Sequence, residues 1–315
     1  MTACSEASLA VDEPLPGTAP TAQCWIVIEQ PGPWGRPALA ASRLDPEIGR
    51  ALQASMQGTG TRIILARHGA RRDLPGPRRL WVAHTAPGMS VLRTGELDDV
   101  RELLGWDLAA MAAGSLPEFG RIESEPVLFV CTHSKRDACC ALKGRDLIEQ
   151  VRPLLPATAQ ERLWECSHLG GHRFAPTALA LPIGAVFGRL TAPEAASIIE
   201  LGSPAAALSA YRGRSCFPAP MQAAEARVRA QIEDAPDALD VLWVRGERAI
   251  PVPPGDELAG IASMLTEVRH PDGPSWLVHV RQEPLSSARP ESCGAEPVPG
   301  HWWRAVDCVP APPWR

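Results

Sequence analysis

Two hydrophobic periods alternate along the first two thirds of the chain. The continuous apolar run Cys24-Trp-Ile-Val-Ile-Glu29 predicts a buried strand, and a Pro/Gly loop from Gln30 to Arg36 follows it. Asp45-Pro46 pairs an N-cap with proline at the first helical position. Behind it Ile48, Leu52 and Met56 recur every four residues, which predicts a helix over 45–57. Strands are expected at Thr61–Arg67, Leu80–Thr85 and Met89–Leu92, then a helix from Leu97 to Leu104 stopped by Gly105.

The same order then returns. Val127–Val130 reads as a strand, and Leu147, Ile148, Val151 and Leu154 form a helical stripe that begins near Ala141. Arg162–Cys166 is a strand, and Thr177–Leu181 with Ala185–Leu190 forms a hairpin turning at Pro182-Ile-Gly184. A capping box, Thr191 with Glu194, opens a helix that runs to Gly202. Ile26 falls on Val127 and Thr61 on Arg162, both at an offset of 101 residues. The pattern therefore predicts an α/β chain of two tandem β-α-β-β-β-α units, the first two strands of each parallel through right-handed crossovers.

Met221, Ala224, Val228 and Ile232 predict one more amphipathic helix within 220–234. Beyond it the composition shifts, since 12 of the 33 prolines lie in residues 251–315. Short apolar runs at Val241–Val244, Ser275–Val280 and Trp302–Val306, with a turn at His270-Pro-Asp-Gly-Pro274, suggest a small β-rich appendage. The expected division is a disordered arm over 1–20, a first unit over 21–120, a second over 121–235 and the appendage over 236–315.

Composition narrows the function classes. The 315 residues carry a net charge of −5, which argues against a nucleic-acid partner. The longest apolar stretch, Phe174–Gly188, is interrupted by Pro176, Pro182 and Gly184, so no membrane span is expected. The acidic, Pro-rich amino-terminus lacks the basic and apolar regions of a signal peptide. Nine cysteines, an odd count in a chain too long to need staples, point to a reduced cytoplasmic compartment and to metal or redox chemistry.

Two segments carry that chemistry: Cys131-Thr-His-Ser-Lys-Arg-Asp-Ala-Cys139-Cys140 and Trp164-Glu-Cys-Ser-His168-Leu-Gly-Gly-His172-Arg-Phe174. Each follows a predicted strand of one unit, so parallel neighbours bring both to the carboxyl end of a sheet. Two thiolates and two imidazoles then converge, a set that suits either Zn²⁺ or an iron–sulfur cluster. The doubled cysteine leaves Cys139 and Cys140 as alternatives for the second thiolate.

These segments, with Phe187-Gly-Arg-Leu190, Tyr211-Arg-Gly-Arg-Ser215, Gln30-Pro-Gly-Pro-Trp-Gly35 and Ala83-His-Thr-Ala-Pro-Gly88, resemble the sucrase/ferredoxin-like family. The resemblance spans about residues 20–232, with a looser echo at Ser292-Cys-Gly294. It implies thioredoxin-like ferredoxin units and a [2Fe–2S] cluster on Cys131, Cys140, His168 and His172. It also implies electron transfer coupled to protonation, with an unidentified redox partner protein. In the first unit Gln30, Arg67 and Arg71 fall where Cys131, His168 and His172 stand, so that unit is silent. A silent copy in the place of a second subunit makes a monomer the expected state. Nothing in the chain supports sugar hydrolysis.

The competing readings are a structural zinc site on the same four residues and a thiol oxidoreductase pairing Cys131 with Cys139 or Cys140. Cys166 is expected as a buried strand residue, His133 as a loop hydrogen-bonding residue, and Arg136-Asp137 as an internal ion pair. Arg173 is read as a salt-bridge residue or a donor to the cluster. Cys24, Cys216, Cys293 and Cys308 are expected to pack in cores, and Cys4 to lie in the disordered arm.

Overall fold

The amino-terminal residues fold rather than forming a disordered arm. In the computed structural model, which describes residues 3–69, 76–201, 204–232, 242–249, 262–270 and 273–311, helix α1 (Cys4–Ala10) buries Cys4, Ser5 and Ser8. Polar bonds rather than apolar burial fix this segment. The Ser8 hydroxyl donates to Glu13 at 2.8 Å, and the buried Glu13 carboxylate binds Arg289 at 2.7 Å and Arg173 at 2.8 Å. A hydropathy pattern does not carry such a signal.

Strand β1 (Cys24–Glu29), helix α2 (Pro46–Ser55) and strand β2 (Thr61–Arg67) follow the predicted order. Asp45 caps α2 by accepting from the Glu47 N–H at 2.8 Å, with Pro46 behind it. Strands β3 (Arg78–His84) and β4 (Val91–Leu97) complete the first unit's meander. The predicted helix at 97–104 is instead a 3₁₀ segment, Val100–Gly105, with an Asp99/Glu102 capping box. Its tighter winding suits a short connector, and a one-turn helix α3 (Leu108–Ala112) and strand β5 (Arg121–Ile122) come after it.

The second unit runs β6 (Val127–Cys131), α4 (Ala138–Val151), β7 (Leu163–Cys166), β8 (Thr177–Leu181), β9 (Ala185–Gly188), α5 (Ala192–Leu201), β10 (Tyr211–Arg214) and α6 (Ala219–Arg229). Helix α4 starts three residues earlier than predicted, because Asp137 caps it through the Cys139 N–H at 2.8 Å. The doubled cysteine therefore lies in its first turn.

One sheet holds both units, in the order β10-β9-β8-β6-β7-β2-β1-β3-β4-β5. β1 pairs parallel with β2 and antiparallel with β3, and β6 pairs parallel with β7 and antiparallel with β8. The strands read outward from the centre in the same sequence on each side. The units meet where β2 and β7 run antiparallel through Ala66↔Cys166 and Arg67↔Glu165. Ser167 N–H donates to the Leu65 carbonyl at 2.8 Å just beyond. At the 101-residue offset, Leu65 corresponds to Cys166 and Ala66 to Ser167, so exchanging the two halves maps this seam onto itself.

Strand alternation divides the core. Ile26, Ile28 and Leu65 pack beneath α2, while Leu128, Val130 and Phe187 pack beneath α4 and α5. The other face is one apolar strip across the seam, containing Trp25, Val27, Trp81, Phe129 and Trp164. Cys131, Cys140 and Cys166 belong to this strip.

The appendage is a second sheet, β11 (Trp243–Ala249), β12 (Ser263–Arg269), β13 (Ser275–Pro284) and the last strand (His301–Pro310), in the order β11-β12-β13-last. A two-stranded ribbon, β14 (Arg289–Pro290) with β15 (Pro297–Val298), precedes that last strand, β16. Val268, Val278 and Val280 bury against Ala223, Ala224 and Val228 of α6. Arg71, Val241, Pro271 and Asp272 lie outside the described residues.

The seam has few backbone pairs, and a side-chain bridge reinforces it. Arg67 Nη2 lies 2.6 Å from Glu165 Oε2, and the Thr132 hydroxyl donates to the same oxygen at 2.5 Å. Arg67→Ala leaves this largely buried carboxylate without its cation, a loss of about 2–4 kcal/mol after allowing for Glu165's partial exposure. Urea unfolding of the variant checks this. A change below about 1 kcal/mol would show that the bridge is dispensable.

Candidate metal centre

Parallel pairing of β6 and β7 places Cys131 beside Cys166, and the chain leaves both strands at the same edge. From β6 it turns through Thr132–Arg136 into α4. From β7 it turns through His168–His172 into a short 3₁₀ segment, His172–Phe174. Successive residues of an α-helix point about 100° apart. Cys139 and Cys140 in the first turn of α4 therefore face different neighbours.

Cys140 faces Cys131. The ligand atoms of Cys131, Cys140 and His168 lie within 4.8 Å of one another, with both cysteines fully buried and His168 half-buried. A hydrogen bond from Cys140, together with the neighbouring His168, pulls the Cys131 thiol well below its ordinary range despite burial. The same contact and burial push Cys140 up, so Cys131 is the more readily ionised thiol of the two. His172 stacks on His168 with ring centroids 5.3 Å apart, and its Nδ1 lies 3.8 Å from Asp137 Oδ2. Burial lowers its pKa, only partly opposed by Asp137, which favours the neutral, ligand-competent imidazole. His172 stands next to the group of three rather than inside it.

The donor set fits a soft or borderline metal group. Nδ1 of His168 and Nδ1 of His172 are both buried without a hydrogen-bond partner among the described residues. An unpartnered buried nitrogen is costly unless something outside the chain accepts its lone pair.

Neighbouring groups hold the ligand loops. His133 Nε2 lies 2.8 Å from the Gly35 carbonyl, and its Nδ1 accepts from the His168 N–H at 3.3 Å. This is the loop hydrogen bonding expected of His133, and the Trp34 ring meets it edge-on at 6.0 Å. The loop after β1 thus supplies Trp34 and Gly35 to position His168. Arg212, buried, donates to the Thr18 hydroxyl of the amino-terminal segment at 3.0 Å and to the Gly170 carbonyl at 3.0 Å. Arg173 is a salt-bridge residue, paired with Glu13.

Two expectations change. Arg136 and Asp137 form no described ion pair; Asp137 caps α4 and also accepts from the Cys293 N–H at 2.9 Å. Burial pushes its carboxyl up, but the N–H donors of Cys293 and Cys139 outweigh this and hold it below the usual range. Cys4 and Cys293 are not isolated. Their Sγ atoms lie 3.5 and 3.2 Å from Cys139 Sγ, in a second group with Asp137. Only an Asp two residues ahead of Cys139, read as an N-cap, could have pointed to part of this from sequence.

The centre reaches solvent at His168. A cleft of about 540 Å³ there is lined by Arg36, Arg62, His133, Arg136 and His168 among others. Among the described residues no helix is long and apolar enough to cross a membrane.

The histidine loop depends on two glycines with positive φ, Gly170 at 96° and Gly171 at 72°. A Cβ on Gly171 would sit 2.3 Å from Arg212 Nη2, whereas one on Gly170 meets nothing within 4 Å. Gly170→Ala should cost roughly 1–2 kcal/mol for the left-handed backbone alone. Gly171→Ala should cost measurably more and weaken metal retention. Equal unfolding free energies for the two variants would contradict the Arg212 contact.

The sequence profile described as sucrase/ferredoxin-like matches residues 15–205, which include strands β1 to β9 of the main sheet and all four candidate ligands. No curated protein and no solved structure gives a significant match. With well over half of its length matched, the chain belongs to the sucrase/ferredoxin-like family.

Proposed function

We propose that the chain is an electron-transfer protein whose second thioredoxin-like unit carries a [2Fe–2S] cluster on Cys131, Cys140, His168 and His172. The observation that carries this reading is the convergence of Cys131, Cys140 and His168, with His172 stacked alongside and Nδ1 of both imidazoles buried and unpartnered. Such a cluster, when bound, supplies a one-electron carrier whose potential two imidazoles raise.

The chain's own residues define the conditions for that chemistry. The buried thiols exclude water from one side. His133 and Arg212 fix the loop that bears the histidines. Imidazoles keep a titratable ring nitrogen, so electron uptake draws a proton onto the histidine edge, and half-buried His168 provides the route. The arginine-lined cleft at His168 suits a redox partner protein presenting acidic groups. A cytoplasmic setting and a monomer, with the silent unit in place of a second subunit, complete the proposal.

A structural zinc ion is the second reading. It draws on the tightness of the Cys131–Cys140–His168 group, which is of single-ion size. Thiol exchange is disfavoured because Cys131 and Cys140 are closed to a protein disulfide.

Protein purified without oxygen should be brown and contain two irons and two acid-labile sulfides per chain. Its reduction potential should fall as pH rises between about pH 6 and 9, where histidine ligands titrate. Colourless protein with one zinc ion would establish the second reading, and a potential flat across that range would remove histidine ligation. Arg136→Glu should slow electron exchange with an acidic carrier most at low salt, while an unchanged rate would place the partner elsewhere.

A further inference from the structure

Three cysteines and a carboxylate meet on the far side of Asp137 from the first centre. Cys4 begins α1, Cys139 lies in the first turn of α4, and Cys293 lies between β14 and β15. They are 135 and 154 residues from Cys139 in sequence, so only the fold unites them. The three Sγ atoms form a triangle with edges of 3.2, 3.5 and 3.6 Å. Asp137 Oδ1 lies 3.3 Å from Cys293 Sγ and 3.7 Å from Cys4 Sγ.

These distances are those of a coordination polyhedron. With Zn–S near 2.3 Å and Zn–O near 2.0 Å, tetrahedral geometry puts sulfurs about 3.8 Å apart and sulfur to oxygen about 3.5 Å. Shifts of a few tenths of an ångström would seat an ion at the centre of the group. A disulfide fits less well. The closest pair, at 3.2 Å, is far beyond a bond of about 2.05 Å, and any pairing strands the third thiol in a buried site. Donors already face the sulfurs: the Ser5 hydroxyl lies 3.3 Å from Cys139 Sγ. Each Asp137 oxygen accepts one N–H, from Cys139 and from Cys293, and retains a second lone pair for an ion.

We propose that Cys4, Cys139, Cys293 and Asp137 form a second, mononuclear site for a zinc-like divalent cation, separate from the Cys131–Cys140–His168–His172 centre. Two of its four ligands, Cys4 and Cys293, lie outside residues 15–205 that match the family. The ion ties both ends of the chain onto the loop that bears the first centre. Glu13 bridges the same three parts, through Arg289 beside the ribbon and Arg173 beside His172. Binding converts the thiols to thiolates and releases their protons, with no change of oxidation state.

Co²⁺ serves as the probe. Full-length Cys131→Ser protein, lacking the first centre, should bind one Co²⁺ per chain with the intense bands of tetrahedral thiolate coordination, and Zn²⁺ should bleach them. Cys293→Ser in the otherwise natural chain should lose one zinc ion per chain while its iron content stays unchanged. Amide exchange over residues 4–10 of the natural chain should slow at least tenfold when Zn²⁺ is added to chelator-treated protein, a readout that survives if either variant fails to fold. Zinc content unaffected by Cys293→Ser, exchange over 4–10 unaffected by Zn²⁺, or a Cys139–Cys293 disulfide in anaerobically purified protein would each overturn the site.

Discussion

The arrangement depends on one buried carboxylate. Asp137 accepts the N–H of Cys139 and so fixes where α4 begins. That start turns Cys140 toward Cys131 and Cys139 away from it. The same carboxylate accepts the Cys293 N–H, which brings the carboxy-terminal ribbon against the helix, and it faces His172 at 3.8 Å. A charged group placed at 5% exposure is tolerable because N–H donors and a helix amino-terminus surround it. Moving the helix start by one residue would rotate both cysteines by about 100° and dissolve both groupings.

The second constraint is the seam between β2 and β7. A sheet edge in a single unit would be open to pairing with another chain. Here β2 of the first half of the sheet closes the edge that β7 of the second would otherwise leave open. The first half of the sheet also supports the candidate ligands of the second. Gln30, opposite Cys131 in the repeat, begins the loop whose Trp34 and Gly35 position His133 and thereby His168. Arg67, opposite His168 at the 101-residue offset, is the cation of the bridge to Glu165, which Thr132 also joins. Ligand positions in one half serve as supports for the other.

The strand and helix order was legible because each central strand carries an apolar run and each main helix has a cap or a four-residue stripe. β1 and β2 fall at their expected limits, and β6 and β7 come within a residue of theirs. The two ligand-bearing segments were legible for the same reason, since each directly follows such a strand. What was not legible depends on pairs far apart in sequence. The amino-terminal segment looked too polar to fold, yet Glu13 reaches Arg289 across 276 residues. Cys4 was expected in a disordered arm and Cys293 in a core of its own, because distance in sequence says nothing about contacts made through a sheet and a ribbon. The late start assigned to α4 had a local cause: the apolar stripe begins after the first turn, and the cap in front of it is a charged residue.

Pulsed electron paramagnetic resonance of the reduced protein, labelled with ¹⁵N-histidine, addresses the central claim most directly. Ligation by His168 and His172 predicts two strongly coupled imidazole nitrogens, with one coupling lost in His168→Cys and the other in His172→Cys. A reduced cluster with no histidine nitrogen coupling, or with couplings unchanged in both variants, would contradict it.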